Sequence, residues 1–215
     1  MAKYITKTYR CPVCGEEHEY SVLVSYRSSN TYLDLGPTQR EYFEMYLECP
    51  KCHYVSMNPG KPANKDAFVT VCSKEYQDCF DSDLSTAVKK CIAMAMMSES
   101  EKNALSAARS WLRAFYAAEM DQQPSETYRK KAVDAYQNAM ESGAGGLALE
   151  DFCALCDLLR QEKRFAEAEE LANALIQNAE DNKNTDNEPY RVLLREKEYI
   201  HNRDHSRHLL KEEVA

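Results

Sequence analysis

Residues 20–27 alternate, with Tyr20, Val22, Val24 and Tyr26 on one face and Ser21, Leu23, Ser25 and Arg27 on the other, the period of two that a half-buried strand requires. Residues 42–48 alternate as well, Phe43, Met45 and Leu47 against Tyr42, Glu44, Tyr46 and Glu48, and predict a second strand. Between them lie Ser28-Ser29-Asn30 and the turn Gly36-Pro37, a loop-like insert. Asn58-Pro59-Gly60-Lys61-Pro62 then breaks the chain and marks a boundary.

Beyond that boundary the period is helical. Phe68, Val71, Cys72, Cys79 and Phe80 follow it, then Leu84, Val88, Cys91, Ile92 and Ala95. Ser98 and Glu101 read as a capping box opening a third helix through Leu105, Ala108, Leu112 and Phe115. Pro124 suits the first turn of a fourth, ending at Gly143, with Tyr128, Ala132, Tyr136, Ala139 and Met140 as its buried stripe. Gly143-Ala144-Gly145-Gly146 is a turn. A fifth helix carries Phe152, Leu155, Cys156 and Leu159, and a sixth Phe165, Ala168, Leu171, Ala172, Leu175 and Ile176. Asp181–Asn187 is a polar linker before a last helix with Leu193, Leu194 and Ile200. Ala132, Tyr136 and Met140 precede Ala168, Ala172 and Ile176 by 36 residues, close to the period of about 34 of tetratricopeptide repeats. Ordinary helical hairpins are the competing reading. The expected fold is α+β, mostly α: a small domain of β-strands over 1–60, then a helical, tetratricopeptide-like array over 61–215.

The chemistry is concentrated in Cys11-Pro12-Val13-Cys14-Gly15 and Cys49-Pro50-Lys51-Cys52-His53. A Cys-x-x-Cys turn brings two sulfurs to one metal, and its backbone N–H groups stabilise thiolate charge. Two such turns complete a tetrahedron, so Cys11, Cys14, Cys49 and Cys52 are the expected ligands of one structural zinc. Gly15 permits the left-handed turn that closes the first of them. Iron–sulfur and dithiol chemistry are weaker readings, and His18 or His53 standing in for a cysteine is weaker still. Four sulfurs close the coordination sphere and leave no place for a water, so the metal organises the fold and does not catalyse.

The CPVCG…CPKC pair followed by a helical, repeat-like region resembles an uncharacterised bacterial family of zinc-ribbon proteins, a domain of unknown function. The resemblance implies the same four cysteine ligands and no activity. The chain departs from the pattern at His53, where glycine is usual.

The other signals are plainer. Cys153 and Cys156 sit in an apolar stripe and read as buried thiols, as do Cys72 and Cys79. His201, His205 and His208 are expected on one solvated face of the last helix. Trp111, Phe115, Tyr116, Tyr128 and Tyr136 read as packing between helices, and Met94, Met96 and Met97 as filler. No phosphate loop, nucleophile elbow, zinc-protease motif or paired-carboxylate signature appears.

Net charge is −8. A zinc on four thiolates would take it near −10, a surface that repels phosphate backbones. The first 60 residues are more balanced, with six Lys or Arg against seven Asp or Glu. No secretion signal or membrane span is apparent, and the expected location is the cytoplasm. The expected role is a non-enzymatic interaction or scaffold protein with a protein or peptide partner. A nucleic-acid-associated zinc ribbon is the alternative.

Overall fold

The computed structural model describes residues 2–26 and 31–210; Arg27 and the expected loop Ser28–Asn30 lie outside them. The architecture is α+β and mostly helical. Strands β1 (Lys3–Arg10) and β2 (Glu17–Ser25) form one antiparallel pair, and β3 (Leu47–Glu48) and β4 (Val55–Ser56) a second. Eight helices follow: α1 (Lys65–Val71), α2 (Lys74–Asp81), α3 (Thr86–Ser100), α4 (Ala104–Met120), α5 (Glu126–Glu141), α6 (Leu149–Gln161), α7 (Phe165–Asp181) and α8 (Glu188–His201). None is long and apolar enough to cross a membrane among the described residues.

These elements gather into two units. One holds Met1–Ser28 and Gln39–Ala135, the other Ser29–Thr38 and Tyr136–Ala215. The strands thus share a unit with α1–α4, while the short insert between them belongs with the C-terminal helices.

Local chemistry explains the helix limits. Asn64, Ser73, Ser85, Asn103 and Asn187 cap α1, α2, α3, α4 and α8 by accepting a backbone N–H from the first turn. At the other end, α3–α8 all stop at a residue in the left-handed region: Lys102, Gln122, Gly143, Lys163, Lys183 and Arg203. The following N–H then reaches back five residues, as from Asn103 to Ser98 (2.9 Å), Arg164 to Leu159 (2.9 Å) and Asp204 to Tyr199 (2.9 Å). Only one of the six stops is glycine. Four are Lys or Arg, whose charge suits a helix C-terminus and offsets part of the cost of about 1–2 kcal/mol for a left-handed L-residue.

Several expectations change. Residues Arg40–Met45 form a 3-10 helix in place of a strand. Phe43 and Tyr46 are both buried, at a spacing of three that such a helix stacks on one side. Ser98 does not open a helix: α3 runs through it, its hydroxyl donates to the Met94 carbonyl (2.9 Å), and Asn103 caps α4 instead. Met140, Leu194 and Phe68 are exposed, and Cys72 is exposed where burial was expected, with Cys79 half-buried. The α4 aromatics Trp111, Phe115 and Tyr116 are buried, as is Tyr136 on α5, while Tyr128 is half-buried.

The first unit's core is the packing of α3 on α4. Small buried residues, Ala93 and Ala95 on α3 with Ala107, Ala108 and Ala114 on α4, let the helices approach closely. In the second unit α6, α7 and α8 pack on one another. Ala168 and Ala172 are fully buried, and the Cys156 thiol donates to the Ala168 carbonyl at 3.4 Å.

A charged network runs through the second unit. The side chains of Asp157, Arg160 and Glu196 are fully buried. Arg160 donates to Glu196 Oε2 (2.7 Å), to Asp157, and to the carbonyls of Asp204 (2.7 Å) and Ser206 (2.8 Å). Gln161 donates to the second Asp157 oxygen (2.5 Å). Burial, then the negative charge of Asp157, pushes the Glu196 carboxyl well above its usual range. Glu196 Oε1 has no hydrogen-bond partner among the described residues. Beside this lies buried Asp34, which pairs with Arg207 (3.0 Å) and accepts the Gly36 N–H (2.8 Å). Arg207 also lies 3.6 Å above the Tyr32 ring. Backbone bonds from Leu33 to His208 (2.8 Å) and from Leu210 to Thr31 (2.8 Å) join the insert to the last described residues.

Candidate metal centre

Each Cys-x-x-Cys is the turn of its own hairpin. Residues 11–16 join β1 to β2, and residues 49–54 join β3 to β4. The two turns repeat the same bonds. Gly15 donates to the Cys11 carbonyl (2.9 Å) and Cys11 to Glu16 (2.7 Å); His53 donates to Cys49 (2.9 Å) and Cys49 to Tyr54 (2.9 Å). Both close on a left-handed residue, Gly15 at φ 76° and His53 at φ 61°. A Cβ at Gly15 would meet nothing within 4 Å, so backbone conformation and not space selects glycine there.

Histidine is able to hold the equivalent position because it is anchored. Its Nδ1 lies 2.8 Å from Glu48 Oε1, and its ring stacks on Phe80 at 4.5 Å and 17°. The Tyr76 hydroxyl donates to its carbonyl (2.9 Å), and Gln77 donates to the Cys52 carbonyl (3.3 Å). Helix α2 therefore carries the second turn. Sequence reading missed this support: Tyr76, Gln77 and Phe80 show only helical spacing, and nothing local ties them to a turn 25 residues earlier.

The four sulfurs converge within 4.8 Å of one another, with Cys11 to Cys52 and Cys14 to Cys49 each at 3.6 Å. A disulfide needs about 2.05 Å, so these are separate thiols. A tetrahedron of metal–sulfur bonds near 2.3 Å has edges of about 3.8 Å, which matches the observed separations. The donor set fits a metal ion. Cys11 and Cys49 are buried, and Cys14 and Cys52 half-buried. Burial pushes the Cys49 and Cys52 thiols up. At Cys14 burial is outweighed by hydrogen bonds from the Glu16 backbone and the neighbouring sulfurs, and the thiol is held below its ordinary value. Metal binding as thiolates would release the protons that remain. Burial, and then negative charge on the cysteines, pushes the Tyr20 phenol up to about 12. Lys51 pairs with Glu16 across the two turns.

The histidines do not join the group. His53 is bound to Glu48, and His18 sits edge-on to Tyr20. His201 ends α8, whereas His205 and His208 follow it, so the three share no helix face; His208 stacks on Tyr199 (3.8 Å) and meets Asp204 (3.0 Å). Cys153 and Cys156 are buried in α6 as expected. The four cysteines are the one cluster of three or more metal-binding side chains among the described residues.

Comparison of the chain with protein-family models, with curated proteins and with solved structures gives no match.

Proposed function

We propose that this chain is a zinc-stapled, non-enzymatic interaction protein of the cytoplasm. The convergence of Cys11, Cys14, Cys49 and Cys52 carries the reading. Among first-row metals, thiolate sets of this shape suit zinc, and four sulfurs leave no coordination position for a substrate or water. Zinc here would tie two isolated two-stranded hairpins, one of them with strands of only two residues, β3 and β4. The resemblance to bacterial zinc ribbons is part of this proposal and rests on the same two turns.

The helices supply the surface. The α6–α7 hairpin has the short connection and the buried small residues of a tetratricopeptide-like unit, and hairpins of this kind bind partners on the faces they leave uncovered. The net charge of −8 favours a basic protein partner over nucleic acid. Elemental analysis of purified protein tests the first half of the proposal: about one zinc per chain is expected for one such site, and iron, or fully folded protein without metal, would refute it. Affinity purification from the native host tests the second, with a stoichiometric protein partner expected and co-purified nucleic acid as the contrary result.

A further inference from the structure

A cleft of about 220 Å³ opens between α2, α3, α4 and the first half of α5. Its floor is apolar, formed by Leu84, Ile92 and Met96. One wall is Trp111, the chain's single tryptophan, which stacks on Tyr128 at 8° between planes and 6.3 Å between centres. The indole is fixed in place: its Nε1 donates to Glu99 Oε1 at 2.6 Å. Glu75 and Glu99 stand at the rim with Lys131.

Lys131 shows what the cleft accepts. Its ammonium lies 4.0 Å from the centre of the Trp111 ring, well inside the range of about 6 Å for attraction between a cation and an indole face. Lys131 is exposed and forms no ion pair among the described residues, so little holds it there beyond the ring. The volume falls below the 300–1,000 Å³ or so of sites for cofactors and drug-sized ligands, and matches a single extended side chain. An aliphatic stem on an apolar floor, an ammonium against an indole and two carboxylates at the mouth describe one guest.

We propose that this cleft receives a lysine side chain of a protein partner, and that Lys131 covers the Trp111 ring at its rim in the free chain. The proposal rests on the interaction reading above and names the chemistry of its partner. Two acidic groups against one resident cation leave the rim net negative, so a second ammonium is attracted and displaces the first. Lys131 acts as a tethered competitor at an effective concentration in the millimolar range. It sets a threshold that only a partner with further contacts overcomes.

Trp111 emission reads the site directly. The probes are a short peptide with one lysine, the same peptide with norleucine, which keeps the stem and lacks the charge, and free butylammonium. Saturable change with the lysine peptide alone is expected, and Lys131→Ala should tighten it about tenfold by removing the tethered competitor. Glu75→Gln, a change at an exposed position, should weaken it about threefold, the loss of one partly screened charge. No saturable response in the Lys131→Ala protein would overturn the proposal, as would an equal response to norleucine. Free butylammonium binding as tightly as the peptide would overturn the assignment to a partner's side chain. Partner capture from the host is measured alongside: a retained partner with no peptide response sinks this inference and leaves the interaction reading, and the reverse sinks the reading alone.

Discussion

In the first unit, Cys11 and Cys14 meet Cys52 and Cys49 across 41 and 35 residues of chain; in the second, Asp34 meets Arg207 across 173. Both clusters gather buried polar groups from distant segments, and they differ in what balances the charge. The sulfurs lie at the edge length of a metal tetrahedron and could hold a cation from outside. The carboxyl groups of Asp34, Asp157 and Glu196 have Arg160 and Arg207, supplied by the protein itself. On the reading proposed above, the first arrangement makes a small hairpin pair conditional on metal. The second is self-sufficient, and its sensitivity is to the loss of any one member.

The largest expected effect separates the two. A strong chelator, or Cys49→Ser, should release the metal and with it binding free energy on the order of 10 kcal/mol, freeing backbone amides of residues 3–25 and 47–56 to hydrogen exchange. The helices of the second unit should stay protected. Loss of protection across both units would break the comparison. Next is Arg160→Leu, which strands Asp157 and Glu196 without a cation. Denaturant unfolding should show a loss of about 3–5 kcal/mol, with metal content unchanged.

The raised Glu196 carboxyl predicts a pH dependence. Glu196 binds a proton more tightly folded than unfolded, so its contribution is complete at acid pH, where both states are protonated. It is then lost as pH rises from the ordinary glutamate range to the raised folded value. Over that window stability should fall by about 1.4 kcal/mol per pH unit, the slope of one proton, and Glu196→Gln should flatten it. An unchanged slope in that variant would place the proton elsewhere in the network. The two turns offer the finest test. Gly15→Ala should cost about 1–2 kcal/mol through backbone strain alone. His53→Gly relieves strain of that size but forfeits the Glu48 bond and the Phe80 stack, each worth about 1 kcal/mol, so the two melting points should differ by little from wild type to this variant.

The cysteines were legible because Cys-x-x-Cys fixes its own geometry within four residues, and strand β2 because its alternation is long. Residues 42–48 misled because Phe43, Met45 and Leu47 satisfy a period of two while Phe43 and Tyr46 satisfy a period of three, and burial chose the second. The helix stops at Lys102, Gln122, Lys163, Lys183 and Arg203 were hidden because no glycine marks them. The Asp34–Arg207 pair and the α2 support of His53 lay beyond reach for another reason. Each joins segments whose own sequences are unremarkable, and only the packed chain brings them together.

The insert around Asp34 emerges from the ribosome long before its counterpart. At about 5–20 residues per second, the 173 residues up to Arg207 take roughly 10–30 s to synthesise. Through that interval a carboxylate that is fully buried in the folded chain stands in water, while both cysteine turns, on either side of it, are synthesised well before Arg207. Translation order therefore gives the hairpins the earlier opportunity to close, and the second unit can bury Asp34 against its partner only afterwards.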